Sequence, residues 1–113
     1  MIFDKYKTIF IHIPRNAGCS VCYKLREDGN HTSNFETIAE IKKKSPEAVL
    51  SYYKWTIVRN PWDRELSLYH YALDNNIVKD VKFEEYLGKI KNKSIDSKIL
   101  ERNQVDYFTR NNY

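Results

Sequence analysis

Hydrophobic residues follow two patterns along this chain, one typical of buried strands and one typical of amphipathic helices. Residues 9–13 and 55–58 are short runs rich in β-branched and aromatic side chains, and each run predicts a buried strand. Helical patterns lie between and after these runs. Because strands that are connected through helices usually point the same way, the two strands are expected to form a parallel pair.

Six helices are predicted from apolar spacing and boundary signals. The first continues through residues 21–26. In the second, Ser33 and Glu36 form a capping box, and apolar spacing continues as far as Ile41. The remaining four are expected over residues 47–53, 62–74, 82–91 and 95–102, and residues 104–113 are expected to form a turn or loop.

The helix over residues 62–74 has the clearest boundary signals. Asn60 is a favourable N-cap, and Pro61 is a favourable first helical residue because its missing N–H is not needed there. The side chains expected to face inward are those of Leu66, Tyr69 and Leu73.

Composition places the chain among globular proteins. Its 113 residues suffice for a single domain, with 42% hydrophobic and 30% charged residues. A net charge of +4 and a pI of about 9.0 suit an anionic ligand. No apolar run approaches the roughly 18 residues of a membrane span, and the N-terminus lacks a signal-peptide core. We therefore expect a cytoplasmic protein that does not bind membranes. Nucleic-acid binding is not expected either, because the nine tyrosines are scattered at core spacing.

The stretch IFIHIPRNAGCS, residues 9–20, has the pattern of an anion-binding loop. Pro14 ends the strand, small residues follow, and a helix begins, so backbone N–H groups and the helix dipole favour a phosphate or sulfate. The residues expected around that anion are Arg15, Asn16, Ala17, Gly18, Cys19 and Ser20. The loop lacks the GxxxxGK[ST] pattern of a Walker loop. A strand-turn-helix unit that binds nothing is the alternative.

The two cysteines form a C-x-x-C at the start of the first predicted helix. Thioredoxin-like proteins keep a redox pair in such a position, so a redox function is an alternative. Cys19 and Cys22 supply only two ligands, which disfavours zinc. The simplest interpretation is that both are small helix residues.

The stretch VRNPWDRELSLYHY, residues 58–71, predicts a second polar cluster. Arg59 lies at the end of the second strand, and Arg64 and Ser67 are three residues apart on one helix face. A guanidinium, a hydroxyl and a helix start can together hold a phosphate. Alternatively, Arg64 pairs with a nearby acid such as Asp63 or Asp74, and Ser67 only packs.

These two stretches resemble the sulfotransferases that use 3′-phosphoadenosine 5′-phosphosulfate (PAPS), in particular the branch related to carbohydrate sulfotransferases. HIPRNAGCS resembles the family loop for the 5′-phosphosulfate, and TIVRNPWDRELSLYHY resembles its 3′-phosphate site. Weaker similarities at residues 29–33, 83–86 and 104–107 follow in family order, so the resemblance covers most of residues 8–109.

The resemblance implies an α/β fold, with a P-loop-like three-layer core in which helices flank a small parallel sheet. It implies one domain over residues 1–113 that corresponds to the N-terminal part of the family domain. The residues it assigns to the 5′-phosphosulfate are Arg15, Gly18, Cys19 and Ser20, and those it assigns to the 3′-phosphate are Arg59 and Ser67. Together the two motifs are expected to form one PAPS site.

The implied reaction moves a sulfuryl group from PAPS to a hydroxyl acceptor, with a glycan as the favoured class. His31 falls where related enzymes keep a catalytic histidine, and such a residue suits a general base. Arg15 would act on the leaving phosphate. The resemblance implies no metal. His12 and His70 are expected to be structural.

The chain departs from the family pattern in three places. Arg15 stands where lysine is usual, Cys19 stands where threonine is common, and the family continues beyond the position of Tyr113. A planar guanidinium and a compact ammonium are not equivalent. A second hypothesis is therefore a non-catalytic module that binds PAPS or bisphosphoadenosine.

Overall fold

The computed structural model of this protein describes residues 1–26 and 35–109. Within them the fold is mixed α/β, with six α-helices and a three-stranded mixed sheet. The strands are β1 (Ile2–Phe3), β2 (Thr8–Ile11) and β3 (Tyr53–Thr56), in the order β1-β2-β3. The predicted mixture of helices and strands is confirmed.

The parallel strand pair is also confirmed, with shifted boundaries. β2 and β3 run parallel, and Phe10 lies opposite Trp55 in the register. β2 ends at Ile11 instead of continuing to residue 13, and β3 begins at Tyr53, ahead of the predicted residue 55. The sheet is mixed because β1 pairs antiparallel with β2. Two paired residues are too few for the sequence pattern to show, so β1 was not predicted.

The helices follow the predicted order. They are α1 (Gly18–Leu25), α2 (Ile38–Lys44), α3 (Pro46–Ser51), α4 (Pro61–Asp74), α5 (Phe83–Lys91) and α6 (Lys98–Glu101), with 3-10 helices at Asp4–Tyr6 and Gln104–Tyr107. The capping box at the start of α2 differs from the predicted one. Thr37 and Glu40 form it, with Glu40 N–H donating to Thr37 Oγ1 at 3.2 Å, and α2 therefore begins at Ile38. Ser33 lies outside the described residues.

The chain divides into two compact units. The first contains Met1–Val58 and Asn103–Tyr113, and the second contains Arg59–Arg102. In the first unit both faces of β2 are covered by apolar side chains. One face packs with residues of α2, α3 and the second 3-10 helix, and its buried members are Ile9, Ile11, Ile13, Ile38, Ile41, Val49 and Tyr107. The other face contributes Phe10, which is buried with Phe3 and Cys22.

The second unit has its own apolar cluster, built on α4 and α5. Its buried residues are Leu68, Ala72, Val78, Tyr86, Ile95 and Leu100. Leu66 was predicted to face inward, but its side chain is 44% exposed. The buried face of α4 carries Leu68 and Ala72 instead, and Tyr69 and Leu73 are half-buried beside it. None of the described helices is long and apolar enough to cross a membrane.

Candidate functional site

The loop after β2 begins with a tight turn. Asn16 N–H donates to Ile13 O at 3.3 Å, Pro14 occupies the second position, and Arg15 has φ 68°. Proline followed by a residue with positive φ is the pattern of a type II turn. Ala17 is also left-handed, with φ 64°. Non-glycine residues adopt this conformation at a cost, and such strain clusters at ligand-binding sites.

The loop leads into a helix start that carries no side-chain cap. Ala17 is the N-cap residue, and the first helical hydrogen bond runs from Val21 N–H to Ala17 O at 3.3 Å. The N–H groups of Gly18, Cys19 and Ser20 therefore precede the helical hydrogen bonds. The first turn of α1 contains no acidic residue. Backbone donors and the positive end of the helix dipole make this position favourable for an anion.

Most of the predicted residues around this helix start are exposed. Arg15, Ala17, Cys19 and Ser20 are exposed, and Gly18 is buried. The Arg15 guanidinium supplies positive charge, and the Ser20 hydroxyl can donate to an oxygen. These residues lie within one short loop and the first turn of α1, so the structure brings this part of the predicted site together.

Asn16 differs from its neighbours because its side chain is turned inward. It is 3% exposed, and its Nδ2 donates to Ile57 O and to Gln104 Oε1, both at 2.8 Å. One amide thus connects the loop to the segment after β3 and to the second 3-10 helix. Asn16 therefore holds the loop in place through its side chain, and this role was not visible in the sequence.

Gly18 lies directly against the ring of His12. A Cβ added at Gly18 would be 1.9 Å from His12 Cδ2 and 2.0 Å from Nε2. His12 is 3% exposed, and its Nδ1 makes no hydrogen bond within the described residues. Burial, with a smaller contribution from the positive amino terminus, lowers the pKa of His12 from 6.5 to about 4. The ring is therefore uncharged near neutral pH.

The C-x-x-C residues occupy different environments. Cys19 is exposed at the start of α1, whereas Cys22 is buried with Phe3 and Phe10. A buried cysteine of this kind behaves as a small apolar side chain. Cys22 therefore packs in the core of the first unit, as the packing interpretation expects.

The second predicted cluster belongs to the second unit. Arg59 is exposed just before α4, and Ser67 is half-buried on that helix. The start of α4 is already capped, because Asn60 Oδ1 accepts from Trp62 N–H at 2.9 Å and from Asp63 N–H at 3.4 Å. This cap confirms the predicted role of Asn60. It also means that the N–H groups of Trp62 and Asp63 at this helix start are engaged within the protein.

Arg64 lies on the buried face of α4. It is 4% exposed, and its Nη1 donates to Arg102 O at 3.4 Å. Burial of a guanidinium carries a large desolvation cost, which hydrogen bonds offset. Arg64 therefore contributes to the interior of its unit.

Of the three histidines in the chain, His12 and His70 lie within the described residues. His31, the predicted base, lies outside the described residues. His70 is exposed on α4, and His12 is buried as a structural residue. Among residues 1–26 and 35–109, no group of His, Cys, Asp or Glu side chains is arranged to hold a metal ion.

Comparison with known proteins identified no relative of this chain. No family model, curated protein or solved structure matches this chain. The functional assignment rests on the two motifs and on the geometry described above.

Proposed function

We propose that this protein is a PAPS-dependent sulfotransferase that transfers a sulfuryl group to a hydroxyl of a glycan. The observation that carries the proposal is the uncapped start of α1 after a turn with two left-handed residues, Arg15 and Ala17. The N–H groups of residues 18–20 precede the helical hydrogen bonds there and suit the oxygens of a phosphosulfate.

The loop would act mainly on the leaving group. When the acceptor oxygen attacks sulfur, the bond from sulfur to the bridging oxygen breaks, and negative charge develops on the departing phosphate. Donors already placed around that phosphate lower the barrier without further reorganisation. Arg15 and the N–H groups that open α1 would be those donors, and the Ser20 hydroxyl would add one more.

The resemblance assigns the nucleotide's 3′-phosphate to Arg59 and Ser67. Arg59 is exposed and carries a forked donor that suits a phosphate. Ser67 is half-buried, one helical turn beyond the buried Arg64. His31 is proposed as the base that takes the acceptor hydroxyl proton.

A second candidate is a non-catalytic module that binds PAPS or bisphosphoadenosine. Arg15 favours it, since a guanidinium binds phosphate well but does not reproduce the compact ammonium usual in the family. Both candidates require nucleotide binding, and only the first requires transfer.

Two measurements on the full chain test the proposal. Calorimetry with 3′,5′-bisphosphoadenosine measures binding, and a transfer assay from PAPS to a panel of glycans measures catalysis. Binding together with transfer supports the enzyme, and binding without transfer supports the second candidate. The absence of binding refutes both. His31→Ala should keep binding and lose transfer; an active variant would show that another base is used.

A further inference from the structure

The glycine of the anion-binding loop is not explained by its backbone conformation. The left-handed positions of the loop are Arg15 and Ala17, whereas Gly18 has an ordinary backbone and begins α1. Alanine forms helices better than glycine does. Something other than φ must therefore account for the absence of a side chain at Gly18.

The ring of His12 occupies the space that a side chain at Gly18 would need. Cδ2 and Nε2 would lie 1.9 and 2.0 Å from a Cβ, well inside any tolerated contact between heavy atoms. The ring is also held from other sides. Phe10 stacks on it with centroids 5.9 Å apart, and Phe35 meets it edge-on at 4.7 Å. Because close-packed side chains cannot shift freely, the ring would not yield to a Cβ without disturbing its neighbours.

The chemical state of the ring fits this position. The positive end of the α1 dipole disfavours a cation beside Gly18, so an imidazolium would be unfavourable there. The uncharged imidazole packs as an aromatic ring. The titratable group that acts on it is the positive amino terminus of Met1, whose N–H donates to Phe10 O at 2.7 Å.

We propose that His12 is a positioning residue of the anion-binding loop. Its ring lies against Gly18 and sets the place of the backbone N–H groups of residues 18–20, and Gly18 is required because that ring is there. This inference deepens the proposed function and rests on it for the identity of the ligand.

Four variants test it by calorimetry with 3′,5′-bisphosphoadenosine at pH 7, on samples shown to be folded by circular dichroism. Gly18→Ala should weaken binding by roughly 30-fold or more, because the Cβ displaces the start of α1. His12→Ala should weaken it by roughly tenfold, because the helix start loses its support. In the double variant, Gly18→Ala should add less than about threefold to the loss from His12→Ala, because the cavity accommodates the methyl group. His12→Phe, which keeps a ring, should retain most of the affinity.

Gly88→Ala is the matched control, since a Cβ at Gly88 meets nothing within 4 Å. It should leave binding unchanged. The proposal is overturned if His12→Ala binds like the original protein, or if the losses from the two single substitutions multiply independently in the double variant.

A second measurement separates this inference from the proposed function. If the original protein does not bind bisphosphoadenosine, the proposed function fails, and backbone amide chemical shifts of residues 17–20 in the ligand-free protein decide the positioning role. His12→Ala should move these shifts, and His12→Phe should largely restore them. The same pair of variants decides the matter if Gly18→Ala does not fold. Unchanged shifts in His12→Ala would overturn the inference.

Discussion

Asn16 and Gln104 are separated by 88 positions in the chain and are joined by a hydrogen bond of 2.8 Å from Nδ2 to Oε1. The same amide group donates to Ile57 O at 2.8 Å. The loop that opens α1 is thus held from two distant parts of the chain, and its turn does not depend on local hydrogen bonds alone.

Replacing Asn16 should therefore destabilise the fold. Asn16→Ala removes both hydrogen bonds and leaves a buried carbonyl without its donor, so we expect a loss of about 2 kcal/mol in the free energy of unfolding, measured with urea. Gln104→Ala keeps the bond to Ile57 O and should cost about 1 kcal/mol. Equal losses in the two variants would contradict this division of roles.

The cap of α4 offers a second stability test. Asn60→Ala removes the acceptor for the N–H groups of Trp62 and Asp63, and the expected loss is about 1 kcal/mol. Ser45→Ala is the control, because the Ser45 side chain makes no cap hydrogen bond at the start of α3. Urea unfolding should separate the two variants, and a comparable loss in both would refute the role of Asn60.

His12 should make stability depend on pH. Its pKa is lowered from 6.5 to about 4 on folding, so the unfolded chain binds the proton more tightly. Stability from this residue is fully present above pH 6.5, falls as the pH decreases, and is lost below about pH 4. The change amounts to about 3 kcal/mol. His12→Phe should lack this contribution in urea titrations between pH 7 and 3.5. If the free energies of unfolding of the two proteins change with pH in the same way, His12 makes no such contribution.

Arg59 should contribute to nucleotide binding. In the proposed site, Arg59→Ala would remove a charge-assisted contact to the 3′-phosphate, so the affinity for bisphosphoadenosine should fall by about 2 kcal/mol, or roughly 30-fold, in calorimetry. Lys79→Ala, which removes an exposed positive charge from the same unit, is the control and should change little. An unchanged dissociation constant in Arg59→Ala would show that Arg59 is not part of the nucleotide site.

Arg15 should limit transfer more than binding. Arg15→Lys introduces the compact ammonium usual in the sulfotransferases that the two motifs resemble, so the transfer rate should rise by roughly tenfold while affinity for bisphosphoadenosine stays within about threefold. Lys24→Arg, an exchange at an exposed position of α1, should affect neither quantity. A lower transfer rate in Arg15→Lys would show that the guanidinium is the better group here.

Much of the candidate site could be predicted from local sequence. The end of the strand near Pro14, the helix start at Gly18 and the exposed positions of Arg15 and Ser20 all follow from residue preferences over a few positions. His12 could have been placed beside Phe10, because residues two apart in an extended segment share a face. The contact of His12 with Gly18 could not be predicted, because it depends on how α1 packs against the strand.

The sequence by itself determined the order of the six α-helices, the parallel pair β2 and β3, and the cap of α4 by Asn60, because these features depend on side chains only a few residues apart. Tertiary structure decided that Leu68 and not Leu66 faces inward, that Asn16 binds Ile57 and Gln104, and why position 18 is glycine. Hydrogen-bond partners 41 and 88 residues away, and a ring packed against a helix start, arise only when distant segments meet.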